Sequence, residues 1–217
     1  MRGEEGRKAR LNKELARQGQ KVDRLADFLG ELPLALFVPE DLALVQGSPS
    51  ERRRYLDLIL CKMYPAAVDC LARYQKVLAS RNILLKRRPL PGNDELEPYD
   101  QLLAPLASEL VDRRRQLLAT LAQFVHFSHD RLAGEVGELA LVYRPQFEGS
   151  PDEFLQALAG RRGDELRRGT TLIGPHRDDF EIRVNGVDMR QFGSQGQCRT
   201  LALALRLAQA SFFQEVG

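Results

Sequence analysis

What this sequence lacks narrows it first. No apolar run approaches the roughly 20 residues that span a bilayer, so no transmembrane helix is expected. The start, MRGEEGRKAR, carries charge with no apolar stretch behind it. A secretory signal is therefore not expected, and the reading is a cytoplasmic protein. Cysteine is scarce: Cys61, Cys70 and Cys198 make an odd count with no CxxC, and read as free thiols in a reducing compartment. His126 and His129, three apart on an expected helix, read as ordinary polar or partly buried side chains, so no metal site is expected. An excess of one charge is missing too, since 32 Lys and Arg against 30 Asp and Glu leave +2. Any nucleic-acid contact must then come from local clusters. What remains, 217 residues with 43% hydrophobic and 29% charged, is the composition of a soluble globular protein long enough for a core.

The apolar pattern changes period along the chain. Residues 7–15 alternate loosely, as an edge strand would, and 32–38, LPLALFV, read as a short buried strand. Ser48-Pro49-Ser50-Glu51 has the form of a capping box, followed by Tyr55, Leu56, Ile59, Leu60 and Met63 at helical spacing. Pro65 ends or kinks that helix. A second helix carries Ala67, Leu71, Tyr74, Leu78 and Leu85, and ends before KRRPLPGNDELEP, an expected loop of about a dozen residues. A third is expected over about 99–134, with Pro105 forcing a late start or a kink. After Gly134 and Gly137, Leu139, Leu141 and Tyr143 alternate. A helix is expected over about 151–167. Phe180, Ile182 and Val184 then alternate into an Asn185-Gly186 hairpin, and a final helix starts near 196. The expectation is an α/β (α+β) chain with an antiparallel helical arm.

One turn carries the chemistry. In QFGSQGQCRTLALALRLA, residues 191–208, glycines and a serine precede a long apolar helix. A helix start offers unpaired N–H groups and a partial positive charge, an anion site that needs no lysine. Ser194 adds a hydroxyl, Gly196 lets an oxyanion approach the backbone, and Gln195 and Gln197 reach phosphate or ribose. The plainer alternative is a serine cap with nothing bound. No G-x-x-x-x-G-K-[ST] loop occurs, and no strand ending in paired acids follows the last helix, so a complete nucleotide site is not expected.

SxGQ followed by a basic residue, threonine and an apolar helix resembles the signature motif of ATP-binding-cassette ATPases of the chromosome-maintenance and repair branch. FVPEDLALVQGSPSERRRYLD (37–57), YQKVLASRNILLK (74–86) and TLIGPHRDDFEIRVNG (171–186) are similar to the RecF family of bacterial recombination mediators. The resemblance implies a P-loop ATPase head, here mainly its α-helical second lobe with part of the β-containing core. Residues 1–47 would end the first lobe. Residues 48–137 would be the helical arm, and 138–217 the strand, hairpin and signature helix. The family binds ATP with Mg2+ and DNA (single-stranded, duplex and gapped), dimerises with ATP, hydrolyses it slowly and acts with RecO and RecR to load the recombinase and support the SOS response. The chain resembles a fragment without Walker A or Walker B, and is not expected to hydrolyse ATP alone. Ser194, Gln195, Gly196 and Gln197 would act in trans on the neighbour's γ-phosphate.

Other residues keep two readings. In GPHRDD, His176, Arg177 and Asp178 are candidates for a head-site or coupling role, or make a salt-bridged turn; Arg177 could pair Asp178 or Asp179, or face phosphate or DNA. Glu40 and Asp41 stand near the place of a metal-contacting glutamine loop but are acids, and helix capping accounts for them. Among the basic clusters, Arg52, Arg53 and Arg54, and Lys86, Arg87 and Arg88, are the preferred DNA candidates. Arg113–Arg115, Arg161–Arg162 and Arg167–Arg168 read as solvated faces. The competing function is a non-catalytic helical module that binds DNA or a protein partner, with no nucleotide site.

Overall fold

A computed structural model of the chain describes residues 37–134 and 137–216, with the backbone of residues 16–17 and 20–21. It divides into two compact units, residues 1–34 and 35–217. In the first, β1 (Ala16–Arg17) pairs antiparallel with β2 (Gln20–Lys21). The strand expected over 7–15 and the run 32–36 lie outside the described residues.

The second unit opens with a 3-10 turn, Pro39–Leu42, and α1 (Ala43–Gln46). Then come α2 (Pro49–Met63), α3 (Pro65–Leu85), α4 (Asn93–Ala133), β3 (Leu139–Arg144) and α5 (Pro151–Arg168). A second 3-10 turn, Pro175–Arg177, leads to β4 (Asp179–Val184), β5 (Val187–Asp188), α6 (Met189–Phe192) and α7 (Gln195–Glu215). Among the described residues no helix is long and apolar enough to cross a membrane.

Two local expectations need correction. The Ser48 capping box does not form: its Oγ lies 2.5 Å from Ser50 Oγ and makes no cap bond, and Pro49 with its preset φ starts α2. The dozen-residue loop is shorter, because α4 begins at Asn93 and not near 99. Glu95 explains this. Its carboxylate accepts the Gly92 amide at 3.1 Å and sits with Asp94 at the positive helix end. α4 then runs for 41 residues through Pro98 and Pro105. A proline inside a helix costs about 3 kcal/mol. The buried row Leu103, Leu106, Leu110, Leu117, Leu121 and Val125 offsets it.

α4 is the central rod. It packs against α3, α5 and β3, and most extensively against α7. The last helix is thus one of the main partners of the helical region. Helices and strands share one core, in which Tyr55, Ile59, Leu110, Phe154, Phe180, Leu201 and Phe212 are buried. The sheet is antiparallel in the order β3-β4-β5, with Leu141 opposite Ile182 and Tyr143 opposite Phe180. Phe180, Ile182 and Val184 face the core as expected. Asn185 and Gly186 turn the hairpin at φ of 52° and 77°, the left-handed pair a two-residue type I′ turn requires.

Charge is buried beside the apolar core. Arg81 is fully enclosed and donates from Nε to Asp100 at 2.6 Å, from Nη2 to Glu165 at 2.7 Å and from Nη1 to Thr171 Oγ1 at 2.8 Å. Glu165, also enclosed, turns its other oxygen to the Leu172 amide at 2.9 Å. Arg162 adds a second cation on Asp100. The cluster joins α3, α4, α5 and the segment after α5 that carries Thr171 and Leu172. Replacing Arg81 by Met strips charge compensation from Glu165, and is expected to cost about 3–5 kcal/mol. The urea unfolding midpoint measures this; an unchanged midpoint would mean the cluster does not hold the helices together.

Candidate functional site

The signature-like turn is built from the core outward. α7 is anchored by Cys198, Leu201, Ala202, Leu205, Ala208 and Phe212, all buried. Cys198 Sγ donates to Met189 O at 3.5 Å, and the Gly193 amide bonds the same carbonyl at 3.1 Å. A Cβ on Gly193 would stand 2.5 Å from Met189 O and 2.9 Å from Cys198 Sγ, so this glycine is required by packing. No local pattern in the sequence separates Gly193 from Gly196.

Ser194 is the N-cap. Its Oγ accepts the Gln197 amide at 3.3 Å, and Gln197 Oε1 accepts the Ser194 amide at 2.9 Å. The cap half of the two readings is thus physically present. It leaves much unspent. The Gln195 and Gly196 amides open the helix and have no acceptor within it, and the Ser194 hydroxyl keeps its proton to donate. Residues 194–197 are exposed. A Cβ on Gly196 would meet nothing nearer than Ser194 Oγ at 4.0 Å. A helical glycine costs up to about 1 kcal/mol relative to alanine, and packing within this chain does not ask for one at 196. Space is kept open on the outer side of the turn. Phe192, 72% exposed, stands beside it.

GPHRDD is a keystone. Gly174 holds φ at 121°, and a Cβ there would stand 2.7 Å from Tyr74 Oη. His176 Nε2 lies 3.1 Å from Thr171 O, which can only accept, so Nε2 carries the proton and Nδ1 accepts from Tyr74 Oη at 2.7 Å. Asp178 is fully buried and accepts from Tyr143 Oη at 2.5 Å and the Gln146 amide at 2.9 Å. Burial and the Asp178 carboxylate push the Tyr143 phenol far up, so it stays a donor. Arg114, on α4, grips Asp57 through Nε at 2.9 Å and Nη2 at 3.0 Å, and reaches Pro175 O at 2.6 Å. Burial raises Asp57 above the usual carboxylate range, against the pull of Arg114. The pairing expected for Arg177 does not occur. Asp178 is held by Tyr143 and Arg114, Asp179 by Arg52, and Arg177 is exposed with Nε on Thr171 O at 3.1 Å. His176, with both ring nitrogens engaged, has no free nitrogen for acid–base work.

The arginine triplet splits because consecutive helical residues point about 100° apart. Arg52 is 2% exposed and holds Asp179 at 2.6 and 2.9 Å and Gly47 O at 2.9 Å, which removes it from the DNA candidates. Arg53 is half-buried, with Nη1 on Asp178 O at 2.7 Å. Arg54 is exposed beside a cleft shared with Glu40, Glu51, Leu58 and Arg206.

Lys86, Arg87 and Arg88 are exposed, with Arg87 paired to Glu95. Gly169, the C-cap of α5, packs on them: a Cβ there would stand 3.1 Å from Lys86 Cγ. Arg167 and Arg168, on the last turn of α5, are exposed, and Arg167 pairs Asp164. Thr171 is bonded to Asn82 of α3, and its carbonyl accepts from exposed Arg177. Arg113 pairs Glu109, and Arg115 pairs Asp112 and Glu148. Among the described residues no group of three or more His, Cys, Asp or Glu could hold a metal. All three cysteines are free; Cys70 and Cys198 are buried and Cys61 is half-buried.

No family model matches the chain. Curated relatives do. The DNA replication and repair protein RecF of Heliobacterium modesticaldum is 41% identical over 223 residues, covering 99% of this chain and 58% of the relative. That of Salinibacter ruber is 38% identical over 209 residues, 91% of this chain and 51% of the relative. A solved structure of the recombination mediator protein RecF with ATP, in the RecFOR pathway, superposes with a TM-score of 0.79 at 29% identity, over 94% of this chain and 57% of that one. The chain thus spans a little over half the length of the proteins it matches. The fold is the expected one, chiefly the helical part of an ATP-cassette head with a small antiparallel sheet.

The charged turn generates a pH dependence. Burial holds His176 down at about 4, against about 6.5 in the unfolded chain. The folded value is the lower one, so its stability contribution is complete above about pH 6.5 and is lost as pH falls towards 4. From pH 7 to 5 this amounts to on the order of 2 kcal/mol. His176→Gln is expected to flatten the urea midpoint over that range; a slope equal to that of the unsubstituted chain would contradict the assignment.

Proposed function

We propose that the chain is a segment of a RecF-family protein, and that its signature turn closes a nucleotide site from the other side. Ser194, Gln195, Gly196 and Gln197 would cap the γ-phosphate of an ATP held by a second protomer, joining two copies when ATP is bound. The observation that carries this is Gly196, exposed and unconstrained by its own chain beside two unpaired helix-start amides. The donor set, backbone N–H, a serine hydroxyl and glutamine amides, fits a phosphate oxygen and the positive helix end. It contains no carboxylate, so it does not fit Mg2+. Bound ATP would supply the charge that holds the dimer, and the metal would stay with the protomer that binds the nucleotide.

Exposed Lys86, Arg87, Arg88, Arg167, Arg168 and Arg177 would form a basic edge that holds a DNA backbone. Arg87 and Arg167 are partly neutralised by Glu95 and Asp164, leaving Lys86, Arg88, Arg168 and Arg177 as the leading contacts. Phosphate contact of this kind positions a protein on single-stranded, duplex or gapped DNA without reading sequence. The relatives' names describe DNA replication and repair, and that of a solved neighbour a recombination mediator in the RecFOR pathway; we infer a role of that kind here, with RecO and RecR as partners in recombinase loading and the SOS response. A second reading, a helical binding module without a nucleotide site, is favoured by the closed Ser194–Gln197 cap. It predicts no ATP-dependent self-association.

In a full-length RecF-family protein carrying this segment, Ser194→Arg is expected to leave ATP binding intact and abolish ATP-dependent dimerisation. Normal dimerisation in sedimentation would remove the trans role. Lys86→Glu with Arg168→Glu is expected to lower DNA affinity and flatten its salt dependence by about one unit of slope per lost contact. An unchanged slope would clear the edge of any DNA role.

A further inference from the structure

α7 is tied to the chain far from its exposed start. Arg206 lies roughly 16 Å along the axis from Gln195 at the helical rise. Its Nε and Nη2 both bond Asp41 Oδ1, at 2.9 and 2.5 Å, and Nη1 bonds Gln209 at 3.0 Å. Asp41 is 4% exposed, and its other oxygen accepts the Val38 amide at 2.9 Å. The guanidinium stands 5.9 Å from the centroid of the Tyr55 ring, and Tyr55 Oη donates to Leu205 O at 2.7 Å. Three elements meet here: the turn at 39–42, α2 and α7.

The apolar face of α7 seats the helix without Arg206, since Leu201, Leu205, Ala208 and Phe212 are buried on their own account. What the ion pair adds is a directional link to the turn at 39–42. It borders an open cleft of about 270 Å³, so the pair can part without opening the apolar core. We propose that Asp41 and Arg206 are positioning residues: their ion pair sets the tilt of α7 against the turn at 39–42, and so the direction that Ser194–Gln197 face. The inference rests on the trans role proposed above. α7 acts as a rigid lever, and a tilt of about 10° at Arg206 would move its start by roughly 2–3 Å. An error of about 1 Å is already costly at a reacting phosphate.

The test uses a full-length RecF-family protein carrying this segment, with Arg206→Gln and Arg206→Lys. Hydrogen exchange of the Ser194, Gln197 and Cys198 amides is expected to be about ten-fold faster in Arg206→Gln and to recover in Arg206→Lys. Amides of β4 and α5 should keep their rates. No change at the turn, or equal acceleration across the core, overturns the proposal. Dimerisation separates the two readings. If exchange responds but neither Arg206→Gln nor Ser194→Arg affects ATP-dependent dimerisation, positioning stands and the trans role falls. If Ser194→Arg abolishes dimerisation and Arg206→Gln does not, positioning falls.

Discussion

Guanidinium groups taken out of water constrain this structure more than any other feature. Arg52, Arg81 and Arg114 are 2%, 0% and 2% exposed. A cation so placed is tolerable only when carboxylates meet it with good geometry. Each arginine finds those carboxylates on other elements. Arg52 of α2 holds Asp179 at the start of β4, Arg81 of α3 holds Asp100 and Glu165, and Arg114 of α4 holds Asp57 of α2 and approaches Asp178. Apolar packing alone would let the helices slide by small amounts at low cost. The ion pairs fix one register among α2, α3, α4, α5 and β4.

That fixed frame serves the exposed groups. The charged turn at 174–179 holds β4 in place, β4 leads through the hairpin to α6, and α6 anchors the signature turn through Met189. The Arg81 cluster ties α3 to α5, the helices whose ends carry Lys86–Arg88 and Arg167–Arg168. Groups suited to phosphate stand on rigid supports while their own donors face solvent. Such preorganisation lets weak individual contacts contribute to binding.

Much of the fold could be read from the sequence because it is written in local periodicity. β4 and its hairpin, α5 and the length of α3 followed from apolar spacing and from Pro65, Asn185 and Gly186. The start of α4 was misread because Pro98 and Pro105 are strong local stop signals, while the burial that overrides them is tertiary. The signature turn was legible through its serine and glycines. Their division of labour was not, since only packing against Met189 and Cys198 separates Gly193 from Gly196. Buried arginines defeated the charge-cluster reading most clearly. Arg52, Arg53 and Arg54 look like one basic patch, yet the helix sends them to a buried ion pair, a backbone carbonyl and a cleft.

The central claim is that Ser194–Gln197 meet a phosphate held by another protomer. The most direct test is a cross-link. In a full-length RecF-family protein carrying this segment, one protomer would bear Ser194→Cys and a mass tag, and the other would keep Ser194. ATP with a thiol-reactive group on its γ-phosphate would be bound under dimerising conditions. The account predicts an adduct at position 194 that requires nucleotide bound by the untagged partner. A dimer that forms without an adduct at 194, or an adduct formed equally by the isolated tagged protomer, would contradict it.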